Sequence, residues 1–149
     1  PMVVRTPDAD FSLANFMRSH LYSAVATLKI GMDILLKEEH VAVDSLMGHG
    51  GFFKTPVVGQ RVMAAGMNAP ITVMDTASEG GAWGMALLAA YMLSKKDGQS
   101  LGDYLDSRVF AERKSETMEP DLADVAGFET YTKQYQACLA AEKAAVQAF

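Results

Sequence analysis

Three features of this sequence predict an α/β fold. A long stretch carries apolar residues at helical spacing, two short β-prone runs are separated by one helical segment, and glycines cluster just after each run. Apolar residues recurring at three and four positions bury one face of a helix. A strand, a helix and a second strand in that order predict a parallel crossover unit. Few strands and several helices are expected. Two strands alone do not make a sheet that covers its own faces, so the sheet is expected to be completed by strands that precede Pro1.

The elements follow in order. Residues 1–10 carry two prolines and no periodicity, and predict an extended lead-in. From Ser12 to about Glu39, Leu13, Phe16, Met17, Leu21, Val25, Leu28, Met32 and Leu35 repeat at helical spacing, with Asp10 or Ser12 as N-cap. Val43 to Met47 is the first β-prone run, broken by Gly48-His49-Gly50-Gly51. Thr55-Pro56 then predicts a helix start, Thr as N-cap and Pro at the first helical position, with Val58, Val62, Met63 and Ala65 inward. Pro70 to Met74 is the second strand. A helix is expected from Glu79 to Ser94, and a capping box at Ser100-Leu101-Gly102-Asp103 opens a short one to about Phe110. Residues 111–120 are charged and predict a solvated loop. A turn at Asp121–Val125 and an amphipathic helix from Phe128 to about Ala148 close the chain, with Phe128, Tyr131, Tyr135, Leu139 and Val146 on one face.

Composition narrows the function classes. Half of the residues are hydrophobic and 21% charged, enough for a buried core. Lys and Arg number 13 against 18 Asp and Glu, a net charge of −5. That argues against gripping a nucleic-acid backbone, which basic surfaces do. One cysteine, Cys138, excludes an internal disulfide framework and suits a reducing compartment. The longest apolar run, Met85 to Leu93, is half of the ~18 residues a membrane span needs. No signal-peptide pattern opens the chain, so a cytoplasmic protein without membrane or nucleic-acid partners is expected. A first residue of Pro is expected of a piece of a longer protein.

The strongest local signal is Val43-Asp44-Ser45-Leu46-Met47-Gly48-His49-Gly50-Gly51-Phe52-Phe53-Lys54-Thr55-Pro56, a strand running into glycines and then a helix start. Glycines let backbone N–H groups approach an anion, and a helix N-terminus adds a favourable field. The P-loop spacing is absent, and a Gly-Gly turn before a helix also serves as an ordinary tight turn. The second signal is Glu79-Gly80-Gly81-Ala82-Trp83-Gly84-Met85-Ala86-Leu87-Leu88-Ala89-Ala90. Glycines inside a helix cost about 1 kcal/mol each against Ala. A sequence tolerates them where another backbone or a flat ring packs close. Trp83, the sole tryptophan, is expected as a half-buried packing residue.

Together the two segments resemble the C-terminal domain of the FGGY family of carbohydrate kinases, which reads Gly-Gly-Gly-Ala-Lys-Ser-Pro and later Gly-Ala-Ala-x-Leu-Ala-Ala at similar spacing. Arg18-Ser19-His20-Leu21-Tyr22 resembles the family's His-x-x-Arg-Ala helix. Gly127-Phe128-Glu129-x-Tyr131-x-x-x-Tyr135 resembles the ends of xylulokinase- and ribulokinase-like members. The resemblance implies an actin-like, ribonuclease-H-like ATPase domain that holds ATP with Mg2+. Residue by residue, it implies nucleotide-binding roles for Gly50, Gly51, Phe52 and Thr55; Lys54 matches a Lys common in xylulose kinases. Phe52-Phe53 departs from the family's Gly-Ala. Either ring is expected to wall the adenine slot or to fill core. The resemblance also places the general base, most sugar contacts and a phosphate loop in an N-terminal domain that residues 1–149 do not contain. No residue here is therefore expected to be catalytic. The parent would phosphorylate a sugar hydroxyl, a pentulose such as xylulose or ribulose, and the piece alone would be inactive.

Other residues carry less. His20, His40 and His49 lack metal-ligand spacing, and no metal site is expected. His49 lies in the glycine turn, either near a phosphate or as a solvated loop side chain. Cys138 is expected buried and inert, and the methionines, Met85 and Met92 among them, are expected to fill core. No G-x-S-x-G elbow supports hydrolase chemistry. Two alternatives stand beside the kinase: a non-catalytic α/β regulatory or assembly module, and an unrelated α/β domain whose glycines only aid packing. Apolar surface left by missing strands is expected to favour self-association, including a homodimer.

Overall fold

In the computed structural model, which describes residues 2–44, 46–77, 80–111 and 113–148, the chain is α/β. Helix α1 (Leu13–Asp33) runs into one π-helical turn (Ile34–Glu38). Strand β1 (Leu46–Gly48), a 3-10 turn (Gly51–Phe53), α2 (Val58–Met67) and β2 (Ile71–Met74) follow. Then come α3 (Gly80–Ser94), α4 (Leu101–Arg108), β3 (Ser115–Met118) and α5 (Leu122–Gln147). β1 pairs parallel with β2, Leu46 opposite Ile71 and Gly48 opposite Val73. This is the crossover that the strand–helix–strand order predicts. β3 pairs antiparallel with β2 on its other side, Ile71 opposite Met118 and Met74 opposite Ser115.

The chain divides into two compact units. One comprises Pro1–Asp44, Val62–Ala69 and Pro120–Phe149; the other comprises Ser45–Arg61 and Pro70–Glu119. The first unit is helical. Ser12 caps α1 by accepting the Asn15 amide at 3.2 Å, while Asp10 instead accepts the Asn15 side-chain amide. Phe128 and Val25 are fully buried, with Ala26 beside them in the core. The Tyr22 ring lies 4.7 Å from Phe128 and 5.3 Å from Tyr131. Gly66 is small for a reason: an added Cβ would sit 2.9 Å from Val25 Cγ1 and 3.1 Å from the Phe128 ring. Tyr131 donates its hydroxyl to the Ser19 carbonyl at 3.2 Å, joining α5 to α1. Lys29 is buried and ion-paired with Asp33, which also pairs with Lys37 at 3.0 Å.

In the second unit, Ile71 of β2 is the buried centre of the sheet. Gln60 on α2 donates to the carbonyls of Ile71 (3.3 Å) and Glu116 (3.0 Å), pinning the helix to β2 and β3. Ser100 caps α4 by accepting the Asp103 amide at 3.1 Å, as the capping-box pattern predicts. Tyr104 is buried, its ring 5.4 Å from Tyr91.

Several expectations are corrected. Residues 115–118 form a strand rather than a loop, because β2 offers a second edge for pairing. The turn and last helix are one helix, because Asp121 accepts the amides of both Ala123 (2.8 Å) and Asp124 (3.1 Å) and starts it early. Leu13, Met17, Leu28, Leu35, Val58 and Val146 are exposed, so the apolar stripes are wider than the faces buried. Met85 and Met92 are exposed rather than core. Cys138 is only partly buried. The Glu79 helix start and Ser45 within the first strand lie outside the described residues.

Candidate functional site

The glycine segment sits at the carboxyl end of β1. Gly48 ends the strand, and an added Cβ there would overlap the Phe53 ring. Phe53 thus folds back over the strand end, its ring edge-on to Phe52 at 5.7 Å. Gly50 turns the chain at φ +102°, a conformation that favours glycine. Its amide donates to the Ala77 carbonyl at 2.6 Å, tying the turn to the segment after β2. Its own carbonyl accepts from Phe53 at 3.1 Å, and the Gly51 carbonyl accepts from Lys54 at 3.2 Å. These bonds close the 3-10 turn. The amides of Gly51 and Phe52 open that turn and so have no acceptor within it. They are the donors suited to an anion; the Gly50 amide is already engaged.

Thr55 does not cap a helix, and Pro56 is not its first residue. The Val58 amide bonds the Pro56 carbonyl at 2.8 Å in a tight turn, and Val57 stands at φ +70°. A β-branched residue in that region cannot continue a helix. Helix α2 therefore begins at Val58. The helix field does not follow the glycines directly, since the 3-10 turn and the Val57 break intervene. Gly59 lies under this segment: a Cβ there would overlap the Phe52 carbonyl. Phe52 and Phe53 are both half-buried, and Thr55 is exposed.

The second glycine segment opens α3. A Cβ on Gly80 would stand 3.0 Å from His49 Cβ and 3.2 Å from its Nδ1. This is the close approach its glycine predicts, and it brings the first and second segments together. A Cβ on Gly81 or Gly84 would meet no atom of the chain within 4 Å. Trp83 is half-buried as expected, its ring 6.1 Å from Phe110 and under the Arg113 guanidinium at 5.8 Å. Sequence reasoning did not single out Gln60, one of whose two acceptors lies in a strand it did not predict, or Arg113, whose partners Trp83 and Asp75 are far from it along the chain. Among the described residues, no three His, Cys, Asp or Glu side chains come together to hold a metal ion. No described helix is long and apolar enough to cross a membrane.

A parallel β-α-β crossover with a glycine turn at the carboxyl end of its first strand and a second glycine segment packed on that turn is an α/β arrangement; in open α/β sheets, ligand sites form at the carboxyl ends of the strands. Residues 1–93 match the family model of the C-terminal domain of the FGGY carbohydrate kinases, and the chain belongs to that family. It is a carbohydrate kinase domain. No curated protein and no solved structure matches the chain.

Proposed function

We propose that this chain is the nucleotide-holding part of an ATP-dependent kinase that phosphorylates a sugar hydroxyl, with a sugar-binding domain and further strands of its own sheet supplied outside residues 1–149. The observation that carries the reading is the junction of the glycine segments. The Gly50 amide is fixed to Ala77 at 2.6 Å, and Gly80 abuts His49. Gly51 is exposed and Phe52 half-buried beside this junction. Gly51 and Phe52 would meet the nucleotide phosphates through their amides, Gly50 would set the turn, and Thr55 would offer its exposed hydroxyl to the adenosine. Mg2+ would arrive on the phosphates, with water filling much of the rest of its shell. Catalysis of phosphoryl transfer rests on positioning and charge stabilisation. Domain closure would then exclude water.

Helix α3 supports the larger parent. It has no charged residue, no buried side chain is found on it among the described residues, and Met85, Leu88, Met92 and Leu93 are exposed. A helix apolar all round suits burial on more than one side. The pentulose assignment, xylulose or ribulose, is supported by the Lys54-Thr55-Pro56 and Gly127–Tyr135 resemblances. On this reading residues 1–149 alone transfer no phosphoryl group, and the protein works in the cytoplasm.

The test is Gly51→Val in the parent kinase, assayed by ATP-dependent phosphorylation of xylulose and ribulose. A Cβ at Gly51 meets nothing within 4 Å, so there is room at the backbone for a side chain. The expected result is a rise of at least tenfold in the KM for ATP with an unchanged thermal melt. Unchanged ATP kinetics would remove the glycine turn from the site.

A further inference from the structure

The second unit contains a cavity of about 420 Å³ beside the end of β2, lined by Asp75, Ser107, Arg108, Val109, Ala111 and Arg113. Among the described residues this lining holds two cations and one carboxylate. Each guanidinium lies over an aromatic ring. Arg108 Cζ lies 5.8 Å from the Tyr104 centroid, and Arg113 Cζ lies 5.8 Å from that of Trp83. A cation–π contact restrains an arginine through the ring face and uses none of its N–H donors, which can still pair in bidentate fashion.

The neighbours do not exhaust those donors. Arg113 Nη1 is 3.7 Å from Asp75 Oδ2, beyond hydrogen-bond distance, so the carboxylate offsets charge without taking a donor. Among the described residues Arg108 has no carboxylate within ion-pair distance. The Ser107 hydroxyl is engaged with the Asp103 carbonyl at 2.5 Å, which leaves the two arginines as the cavity's donors. The end of α4 lies here, and its carbonyls bring about half a negative charge. Two full charges with directed N–H groups outweigh that partial, screened one. Loop and strand are held in place by the Asp75 amide, which donates to the Lys114 carbonyl at 3.2 Å.

We propose that this cavity is an anion site for a phosphate group, free or carried on a small metabolite, gripped by Arg108 and Arg113. It is independent of the nucleotide reading, since it shares no residue with the glycine turn. Tetrahedral oxyanions match the arginine fork, and paired bonds to them are the strong kind.

Trp83 makes the test direct, because the sole tryptophan lies under one of the two proposed ligands. The 149-residue chain is titrated at constant ionic strength with inorganic phosphate and, separately, with ribose 5-phosphate. Trp83 emission and isothermal titration calorimetry are the readouts. The expected result is saturable binding, weakened at least tenfold by Arg108→Gln and by Arg113→Gln. A tenfold preference for ribose 5-phosphate assigns the site to a phosphorylated metabolite; equal affinity assigns it to free phosphate. If Arg113→Gln loosens the loop, Arg108→Gln still decides, since Arg108 makes no ion pair among the described residues. Absence of saturable binding, or binding equal in wild type and Arg108→Gln, overturns the proposal.

Discussion

The helical unit and the sheet unit of this chain are built on opposite economies of burial. In the first, Phe128, Val25 and Ala26 are fully enclosed, and Gly66 is small because rings and branched carbons crowd it. In the second, α3 has no buried side chain among the described residues, Val57 sits at φ +70°, and the Thr76 hydroxyl is buried without a hydrogen-bond partner. Dense, satisfied packing marks residues that hold a fold. A strained β-branched residue, a helix with no described buried side chain and an orphaned hydroxyl mark the unit that carries the glycine turns and the arginine cavity. Such irregularities gather where function is placed.

The largest expected effect attacks the helical unit. Phe128→Ala empties the centre of its core and should cost about 3–5 kcal/mol. Urea denaturation followed by far-ultraviolet circular dichroism measures it. A loss below about 1 kcal/mol would mean that Phe128 is not the keystone that its burial indicates.

Asp33→Asn sharpens the same side. It leaves the buried Lys29 without its carboxylate, at a cost of about 1–3 kcal/mol. Burial pushes the Asp33 carboxyl up, but hydrogen bonds and charge from Lys29 and Lys37 outweigh it and hold the group below its ordinary value. A carboxyl lowered in the fold contributes stability that is complete above the unfolded value of about 4 and is lost as pH falls through the folded one. The wild type should therefore lose stability on acidification more steeply than Asp33→Asn. Urea midpoints at neutral pH and near pH 3 compare the two. Parallel curves would show that the ion pairs contribute nothing to the fold.

These contrasts also explain what was legible in the sequence. The parallel crossover was legible because residues 43–47 and 70–74 are short β-prone runs around one helix, although the first strand forms later than expected, at Leu46–Gly48. The family was legible in the paired glycine segments, and residues 1–93 confirm it. The start of α2 was not. Thr55-Pro56 is a sound local helix signal, but positive φ at Val57 is a tertiary outcome with no local signature. β3 was hidden for a similar reason: Ser115–Met118 is polar and exposed, and only the free edge of β2 makes it a strand. The contact between Gly80 and His49 was half legible, as a close approach without a named partner.

Two smaller effects run the other way and gain stability in the sheet unit. Val57→Gly removes a β-branched residue from the left-handed region, where such strain costs on the order of 1–3 kcal/mol. Glycine gives back part of this through the unfolded chain, so a net gain of about 1 kcal/mol is expected. A thermal melt higher than wild type is the sign to look for, and a lower one would show that Val57 contributes more by contact than it costs by strain.

Thr76→Val is the smallest change and the most pointed. The two side chains have nearly the same shape, so packing is kept while the unpartnered hydroxyl is removed. A buried hydroxyl without a partner forfeits its bonds to water, and replacing it by a methyl should gain up to about 1 kcal/mol. If the hydroxyl has no role, the variant melts higher and keeps its ATP kinetics in the parent kinase. If Thr76 serves the site, beside Ala77 whose carbonyl anchors Gly50, the same variant melts higher but binds nucleotide more weakly. Stability gained together with affinity lost would show that the orphaned hydroxyl is kept for function, which is the difference between the two units reduced to one atom.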